Sequence, residues 1–203
     1  VIQPSRDRAA TYGINVGGSA RVFRAVADAG VPALVYASSV GAYSPGPKDR
    51  AVDESWPTDG VKTSFYARDK AEVERVLDRF EAEHPAVRVV RLRPGLKFKR
   101  EAGAEVRRYF AGPFLPSPLV RRGLIPVIPD VPRLRFQAVH TDDVAEAYRL
   151  AVVGDAEGAF NVAADPVLDP AELARVLGAR TVPCPAGVLR AVADATWRLR
   201  LQP

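Results

Sequence analysis

The sequence predicts an α/β fold built on a twisted parallel sheet, because helix-like and strand-like segments alternate along its first half. Apolar residues recur at helical spacing over residues 6–29 and again over residues 64–82. Residues 33–37 and 87–92 are short apolar runs of the kind that form buried strands. This alternation is typical of parallel crossover units. Such sheets bind ligands at the carboxyl ends of their strands, so we expect a site there.

The boundaries in the first half have local causes. Gly30 follows the first helical pattern as a C-terminal stop. Residues 41–60 contain three prolines and three glycines, which predicts a long loop, and loops of that length in compact domains are usually functional or disordered. The second helical pattern ends at His84-Pro85.

The second half of the chain predicts a less regular lobe. Six prolines fall between Gly112 and Pro132, too many for a central sheet. Further strands are predicted near 125–128, over 136–139 and over 159–162, and further helices from residue 142, over 170–177 and over 186–201. We therefore expect a first domain over residues 1–95 and a second lobe over 96–203, from which residues 136–163 return to the main sheet.

Composition and charge exclude several classes of protein. There is no apolar run of about 18 residues and no apolar N-terminal stretch, so we expect a cytoplasmic protein that neither spans nor binds a membrane. The net charge is +5, but the basic residues are dispersed, so nucleic-acid binding is not predicted. Cys184 is the single cysteine, which excludes an internal disulfide. The chain has no methionine and begins at Val1, so we expect it to be part of a longer protein.

The sharpest chemical signal is a tyrosine and a lysine near the start of the second helix. Tyr66 and Lys70 are four residues apart and therefore share a helix face. A neighbouring ammonium and the positive end of a helix both favour the phenolate, which makes Tyr66 a candidate acid/base. Ser38 and Ser39 follow the first strand, where a hydroxyl can hydrogen-bond the oxygen that Tyr66 protonates. A serine-rich turn without a catalytic role is the alternative.

Together with four other segments, these residues resemble the extended short-chain dehydrogenase/reductase family, and within it the NAD-dependent epimerases and dehydratases. The resemblance covers about residues 8–178, and its segments occur in the family's order: Asn15-Val16-Gly17-Gly18-Ser19, Ser38-Ser39-Val40-Gly41-Ala42-Tyr43, Tyr66-Ala67-Arg68-Asp69-Lys70, Arg93-Pro94-Gly95, Val139-His140-Thr141-Asp142-Asp143-Val144-Ala145 and Phe160-Asn161-Val162-Ala163. It implies a Rossmann-like parallel sheet with a small irregular C-terminal substrate lobe.

The sequence departs from the family at two places. The glycine fingerprint that binds a pyrophosphate is absent, because Gly13, Gly17 and Gly18 lie in a helical pattern without the required spacing. We therefore expect the N-terminal strands of the fold to be missing and to precede Val1. Lys97 stands where the family resemblance implies an apolar strand residue.

The resemblance also implies roles for individual residues. Tyr66 would be the acid/base, Lys70 would hold the nicotinamide ribose, and Ser39 would orient the substrate oxygen. Asn15, a helix residue near the active site, completes the implied catalytic set. The implied cofactor is NAD or NADP, which would carry the hydride.

Cofactor contacts are implied for Ser38 and for the turn Arg93-Pro94-Gly95, besides Tyr66 and Lys70. Pro94 and Gly95 would approach the nicotinamide through their backbone, because one lacks an N–H and the other lacks a side chain.

The predicted function is that of an NAD(P)-dependent epimerase or dehydratase that transfers a hydride at a carbinol or carbonyl of a small molecule. A nucleotide sugar is one candidate substrate, with Ser39, Arg133 and Arg135 as candidate contacts. The alternatives are a reductase of a small ketone or aldehyde and a non-catalytic NAD(P)-binding protein of the same fold.

A homodimer through the helices 6–29 and 64–82 is also implied by the resemblance. No metal site is predicted, since His140 is interpreted as structural and Asp142-Asp143 as a helix cap.

Overall fold

The computed structural model describes residues 7–99 and 125–198, which fold as two compact units. Within these residues, the first unit runs to Gly95 and resumes over Thr141–Ala163, and the second unit comprises the remainder. The strands are β1 (Ala33–Ala37), β2 (Arg88–Pro94), β3 (Leu96–Phe98), β4 (Val127–Asp130), β5 (Phe136–His140), β6 (Gly158–Val162), β7 (Ala164–Leu168) and β8 (Arg180–Pro183). The helices are α1 (Arg8–Tyr12), α2 (Gly18–Asp28), α3 (Phe65–Glu83), α4 (Thr141–Val153), α5 (Pro170–Leu177) and α6 (Ala186–Arg198).

A parallel sheet of order β1-β2-β6 forms the centre of the first unit. Leu34 and Val89 point to one face, where they pack with Leu77 of α3. Val90, the next residue along β2, points to the other face and packs with Ala151 of α4. Because successive strand residues alternate between faces, helices cover both sides of the sheet. The predicted α/β class with a parallel sheet is confirmed.

The N-terminal helical segment contains one wider turn that the sequence did not predict. It begins at Asp7, whose carboxylate accepts a hydrogen bond of 2.9 Å from the Ala10 N–H. A π-helical turn, Gly13–Gly17, then joins α1 to α2. The helix ends just before Gly30, which has a left-handed φ of 63° and acts as the predicted stop. Wider turns of this kind are frequent at functional sites.

Helix α3 matches the predicted helix to within a residue or so at either end. Ser64 caps its first turn, because the Ser64 hydroxyl accepts a hydrogen bond of 3.3 Å from the Ala67 N–H. Its apolar face buries Val73, Leu77 and Phe80 against the sheet. The cap fixes where the helix begins, so the first two turns present Tyr66 and the residues that follow it next to the carboxyl end of β1.

The second unit contains the strand predicted at 136–139, which we expected to return to the main sheet. Instead, β5 pairs with β3 in parallel and with β7 in antiparallel orientation. Its partner β3 directly follows β2 and its partner β7 directly follows β6, so β5 belongs to a separate sheet in the second unit. The helix α4 and the strand β6, also from residues 136–163, do belong to the first unit. Lys97 lies on β3 opposite Val139 with its side chain exposed, which an edge position tolerates.

The rest of the second unit is small. Strands β4 and β8 pair in parallel, and α5 begins at the cap Asp169 and ends at Gly178, which has a φ of 69°. Helix α6 follows β8. Over residues 7–99 and 125–198, no helix is long and apolar enough to cross a membrane.

Candidate active site

The Lys70 ammonium lies close to two phenol rings at the carboxyl end of β1. Its Nζ donates a hydrogen bond of 3.3 Å to the Tyr36 hydroxyl and a second one to the Ala37 carbonyl oxygen. The same nitrogen is 4.8 Å from the centre of the Tyr36 ring and 6.0 Å from the centre of the Tyr66 ring. The predicted placement of Tyr66 and Lys70 on one helix face therefore puts a positive charge beside the Tyr66 ring.

Ser39 and the Tyr66 ring both lie close to Gly41. Its hydroxyl accepts a hydrogen bond of 3.0 Å from the Gly41 N–H and so opens the short 3₁₀ turn Val40–Ala42. A Cβ on Gly41 would be 3.1 Å from Cε1 of Tyr66 and 3.3 Å from Oγ of Ser39. The hydroxyl and the ring edge therefore both border the space that a side chain at position 41 would fill. Only glycine allows this approach without a shift of its neighbours.

Asn15 joins the N-terminal helix to α3 beside the lysine. It lies in the π-helical turn, and its side-chain amide donates a hydrogen bond of 3.1 Å to the carboxylate of Asp69, which is buried. The Asn15 carbonyl oxygen accepts a hydrogen bond of 2.6 Å from the Ser19 hydroxyl. Asp69 precedes Lys70 on α3, so this contact anchors the helix turn that carries the lysine.

A buried ionic cluster lies behind the site, and we call Glu74, Ser38, Arg91 and Arg93 the Glu74 cluster. The Glu74 side chain is 0% exposed. Its Oε1 accepts hydrogen bonds from the Ser38 hydroxyl at 2.5 Å and from Arg93 Nε at 3.0 Å. Its Oε2 accepts from Arg91 at 3.0 Å and from Arg93 Nη2 at 2.9 Å. The side chains of Ser38 and Arg93, both predicted to contact the cofactor, are therefore directed to Glu74.

The charge state of Glu74 follows from these contacts. Burial alone would raise the pKa of Glu74, but the hydrogen bonds from Arg93, Ser38 and Arg91 and the positive charge of Arg93 outweigh it. The pKa of this carboxyl is therefore held below its ordinary value of 4.5. Burial and the nearby Glu74 carboxylate also raise the pKa of Tyr36 well above its ordinary value, so Tyr36 is a neutral phenol at physiological pH.

The Glu74 cluster was missed by the sequence analysis. The available signal was a carboxylate on the apolar face of α3, between Val73 and Leu77, because a charged side chain at such a position requires a buried partner. The partners themselves lie on β1 and β2 and could not be found from helical spacing.

A second set of polar contacts ties the strand ends together. The Tyr43 hydroxyl accepts a hydrogen bond of 3.0 Å from Arg93 and donates one of 2.8 Å to the side chain of Asn161 on β6. The Asn161 N–H donates a hydrogen bond of 2.7 Å to the carboxylate of Glu54, in the long loop. The predicted loop therefore lies over the carboxyl end of the sheet, as a functional loop should.

Strand β2 ends at Pro94, and Gly95 follows it at the same edge of the sheet as Ser38. The Gly95 N–H donates a hydrogen bond of 3.0 Å to the Val162 carbonyl oxygen, which continues the pairing of β2 with β6. Because parallel strands end together, the side-chain-free backbone at Gly95 lies at the edge where a ligand is expected.

Arg133 and Arg135 belong to the second unit, just before β5, whereas Ser39, Tyr66 and Lys70 belong to the first. Arg133 has a left-handed φ of 66°, which is uncommon for a residue with a side chain.

Asp142 and Asp143, which follow His140, lie in the first turn of α4. In the described part of the chain, no group of three or more His, Cys, Asp or Glu residues could hold a metal ion.

A parallel sheet covered by helices on both faces, with a tyrosine and lysine pair at a strand's carboxyl end, defines a Rossmann-like α/β protein. The chain belongs to the NAD dependent epimerase/dehydratase family, whose sequence profile matches residues 3–163. No curated protein matches the chain.

Solved structures of similar fold include the Thermus thermophilus UDP-glucose 4-epimerase in complex with NAD, with 26% identity and a TM-score of 0.62 over 86% of this chain and 58% of that one. The UDP-N-acetylglucosamine 4-epimerase of Methanobrevibacter ruminantium has 20% identity and a TM-score of 0.66, over 87% of this chain and 58% of that one. A human epimerase family protein with NADPH has 22% identity and a TM-score of 0.65, over 94% of this chain and 62% of that one. The chain therefore spans about three fifths of the length of these proteins.

Proposed function

We propose that the protein is an NAD(P)-dependent enzyme that uses Tyr66 as the acid/base for hydride transfer at a carbinol or carbonyl of a nucleotide sugar. The observation that carries this proposal is the arrangement around the Tyr66 ring. The Lys70 ammonium is 6.0 Å from the centre of that ring, and the Ser39 hydroxyl borders the same gap at Gly41. A non-catalytic binding protein of this fold has no need for these three groups together.

The residues at this edge of the sheet fit the nicotinamide and ribose end of NAD or NADP. Lys70 and the Tyr66 hydroxyl would hold the ribose, and the backbone at Pro94 and Gly95 would lie against the nicotinamide. A bound dinucleotide would supply the hydride chemistry. The side chains of Ser38 and Arg93 contact Glu74, so any cofactor contact from them would come from their backbone.

The proton chemistry belongs to the chain's own residues. The Tyr66 phenolate takes the proton of a substrate hydroxyl, and in the reverse direction the Tyr66 phenol gives its proton to a carbonyl oxygen. Ser39 donates a hydrogen bond to the same substrate oxygen and so holds it near the phenol. The positive charge of Lys70 stabilises the phenolate during the transfer. Asn15 acts through Asp69, by anchoring the turn of α3 that carries the lysine.

The similarity to a UDP-glucose 4-epimerase at 26% identity supports a nucleotide sugar as substrate. We propose that Arg133 and Arg135 contact its diphosphate, because guanidinium groups bind phosphate oxygens in a bidentate manner. We also propose a homodimer through the N-terminal helix and α3. On that helix Ile14 and Val22 are 58% and 57% exposed.

The test is turnover of UDP-glucose by the full-length protein with NAD, together with the variant Tyr66→Phe. We expect a loss of at least about 100-fold in kcat with little change in dinucleotide affinity, because one hydroxyl removes the proton route and little packing. The matched control is Tyr12→Phe, the same change at a tyrosine that is 48% exposed, and it should be neutral. Tyr66→Phe activity within a few-fold of the unchanged protein would remove Tyr66 from the mechanism. Turnover of small ketones with NADPH but not of nucleotide sugars would replace the proposed substrate with the reductase alternative.

A further inference from the structure

Glu74 is a carboxylate that is completely buried, although it does not face the edge of the sheet where a ligand is expected. It lies on α3, about one helical turn beyond Lys70 and two beyond Tyr66. Its hydrogen-bond donors come from two strands: Ser38 directly after β1, Arg91 in the middle of β2 and Arg93 near the end of β2. One side chain therefore connects the helix that carries the acid/base to the two strand ends that border the site.

These contacts constrain position more tightly than apolar packing would. Both Glu74 oxygens accept two hydrogen bonds, each from a defined direction. Buried ion pairs contribute little net stability compared with apolar side chains of similar volume, because desolvation offsets the attraction. An apolar residue could fill the same space, but its contacts would have no preferred direction and would not hold the Ser38 hydroxyl in one place.

The Ser38 hydroxyl connects Glu74 to the turn that carries Ser39. Ser38 directly precedes Ser39, whose hydroxyl starts the turn Val40–Ala42. That turn approaches the Tyr66 ring so closely that a Cβ on Gly41 would be 3.1 Å from the ring. The separation of Ser39 and Tyr66 therefore depends on how firmly the turn is held against α3.

We propose that Glu74 is a positioning residue, which holds the Ser38–Ser39 turn against α3 through the Ser38 hydroxyl and thereby sets the separation of Ser39 and Tyr66. The catalytic consequence rests on the proposed function of Ser39 and Tyr66, but the mechanical part does not. Reacting groups that are displaced by about 1 Å lose about 100-fold in rate, so a contact of this kind is sufficient to control turnover.

The experiment uses Ser38→Ala in the full-length protein, because this change removes the link and leaves Glu74 with both arginines. Hydrogen exchange at the Gly41 and Ala42 amides should accelerate about tenfold, since both amides donate to Ser39 and lose protection when the turn loosens. Exchange at the Val90 amide, in the centre of the sheet, should be unchanged.

Two further variants separate positioning from general destabilisation. Ser55→Ala removes another hydroxyl that donates to a carboxylate at 2.5 Å, that of Asp53, but in an exposed part of the loop. It should leave exchange at Gly41 and Ala42 unchanged. Ser38→Thr retains the hydroxyl and should restore slow exchange at both amides. Unchanged exchange in Ser38→Ala, or an equal rise at Val90, would overturn the proposal.

Turnover is measured on the same variants. We expect Ser38→Ala to lower kcat about tenfold while the KM for the dinucleotide is unchanged, because the substrate hydroxyl is misplaced and the cofactor is not. Faster exchange at the turn together with full activity would refute the catalytic part of the proposal. Failure of the proposed function would be recognised separately, as unimpaired turnover by Tyr66→Phe, because hydrogen exchange needs no substrate.

Discussion

Replacing Glu74 with glutamine tests the stability of the buried cluster. Glu74→Gln keeps the shape of the side chain but removes its charge, and the new amide N–H groups face the guanidinium groups of two arginines. Arg91 keeps Asp78 and Glu81 as partners. Arg93 is 4% exposed, and Glu74 is its partner among the ion pairs of the described residues. The variant therefore leaves a buried guanidinium without its carboxylate.

Removing one partner of a buried ion pair destabilises a protein by about 3–5 kcal/mol. We expect about 3 kcal/mol for Glu74→Gln, since Arg91 keeps two carboxylates. For a chain of this size, that loss corresponds to a decrease of roughly 6–12 °C in Tm. The measurements are urea unfolding and thermal unfolding, followed by circular dichroism.

The matched control is Glu72→Gln on the same helix. Glu72 pairs with Arg75 at 2.7 Å, and both side chains are partly exposed, at 30% and 45%. An exposed pair contributes at most about 1 kcal/mol, so this variant should be nearly neutral. Equal losses of stability in the two variants would refute the reasoning from burial.

The pH dependence of the stability of Glu74→Gln gives an independent check. The folded protein holds the pKa of Glu74 below 4.5, so the ionised carboxylate stabilises the fold above that pH. This stabilisation is lost as the pH falls through the lowered pKa. The difference in the free energy of unfolding between the unchanged protein and Glu74→Gln should therefore be constant above about pH 5 and decrease in more acidic solution. A difference that is independent of pH down to the acid transition would contradict the assigned charge state.

Three further predictions concern a glycine, a phenol and the dimer. Gly60→Ala should lower the free energy of unfolding in urea by about 1–3 kcal/mol more than Gly30→Ala does. Both glycines have a left-handed φ, but only at Gly60 would a Cβ meet backbone, 2.6 Å from the Ala67 carbonyl oxygen. Equal losses of stability in the two variants would contradict this. Tyr36→Phe removes the hydroxyl that accepts from Lys70 and should lower kcat about tenfold with unchanged circular dichroism, whereas full activity would exclude a role for this contact. Val22→Asp places a charge on the proposed dimer surface, and light scattering should show a shift from dimer to monomer; a monomeric unchanged protein would refute the proposed dimer.

Features with a local cause could be predicted from the sequence. The α/β alternation, the stop at Gly30 and the placement of Tyr66 and Lys70 on one helix face depend on residues within a few positions of one another. Helical spacing and glycine conformation act over that range, so a single chain is sufficient to predict them. The family resemblance added the expected role of Ser39, which no local pattern distinguishes from a serine in an ordinary turn.

The tertiary structure decided which distant groups meet. Glu74 is 36 residues from Ser38 and 19 from Arg93, and nothing in its own helix indicates these partners. The partners of β5 were likewise decided by the short strands beside it rather than by its own sequence, which predicts a strand but not the sheet it joins. Periodicity is a property of one segment, whereas buried charges and strand edges are satisfied only when separate segments close together and exclude water. The sequence therefore determined the candidate acid/base, and the packing of α3 against β1 and β2 determined which buried contacts form on the same helix.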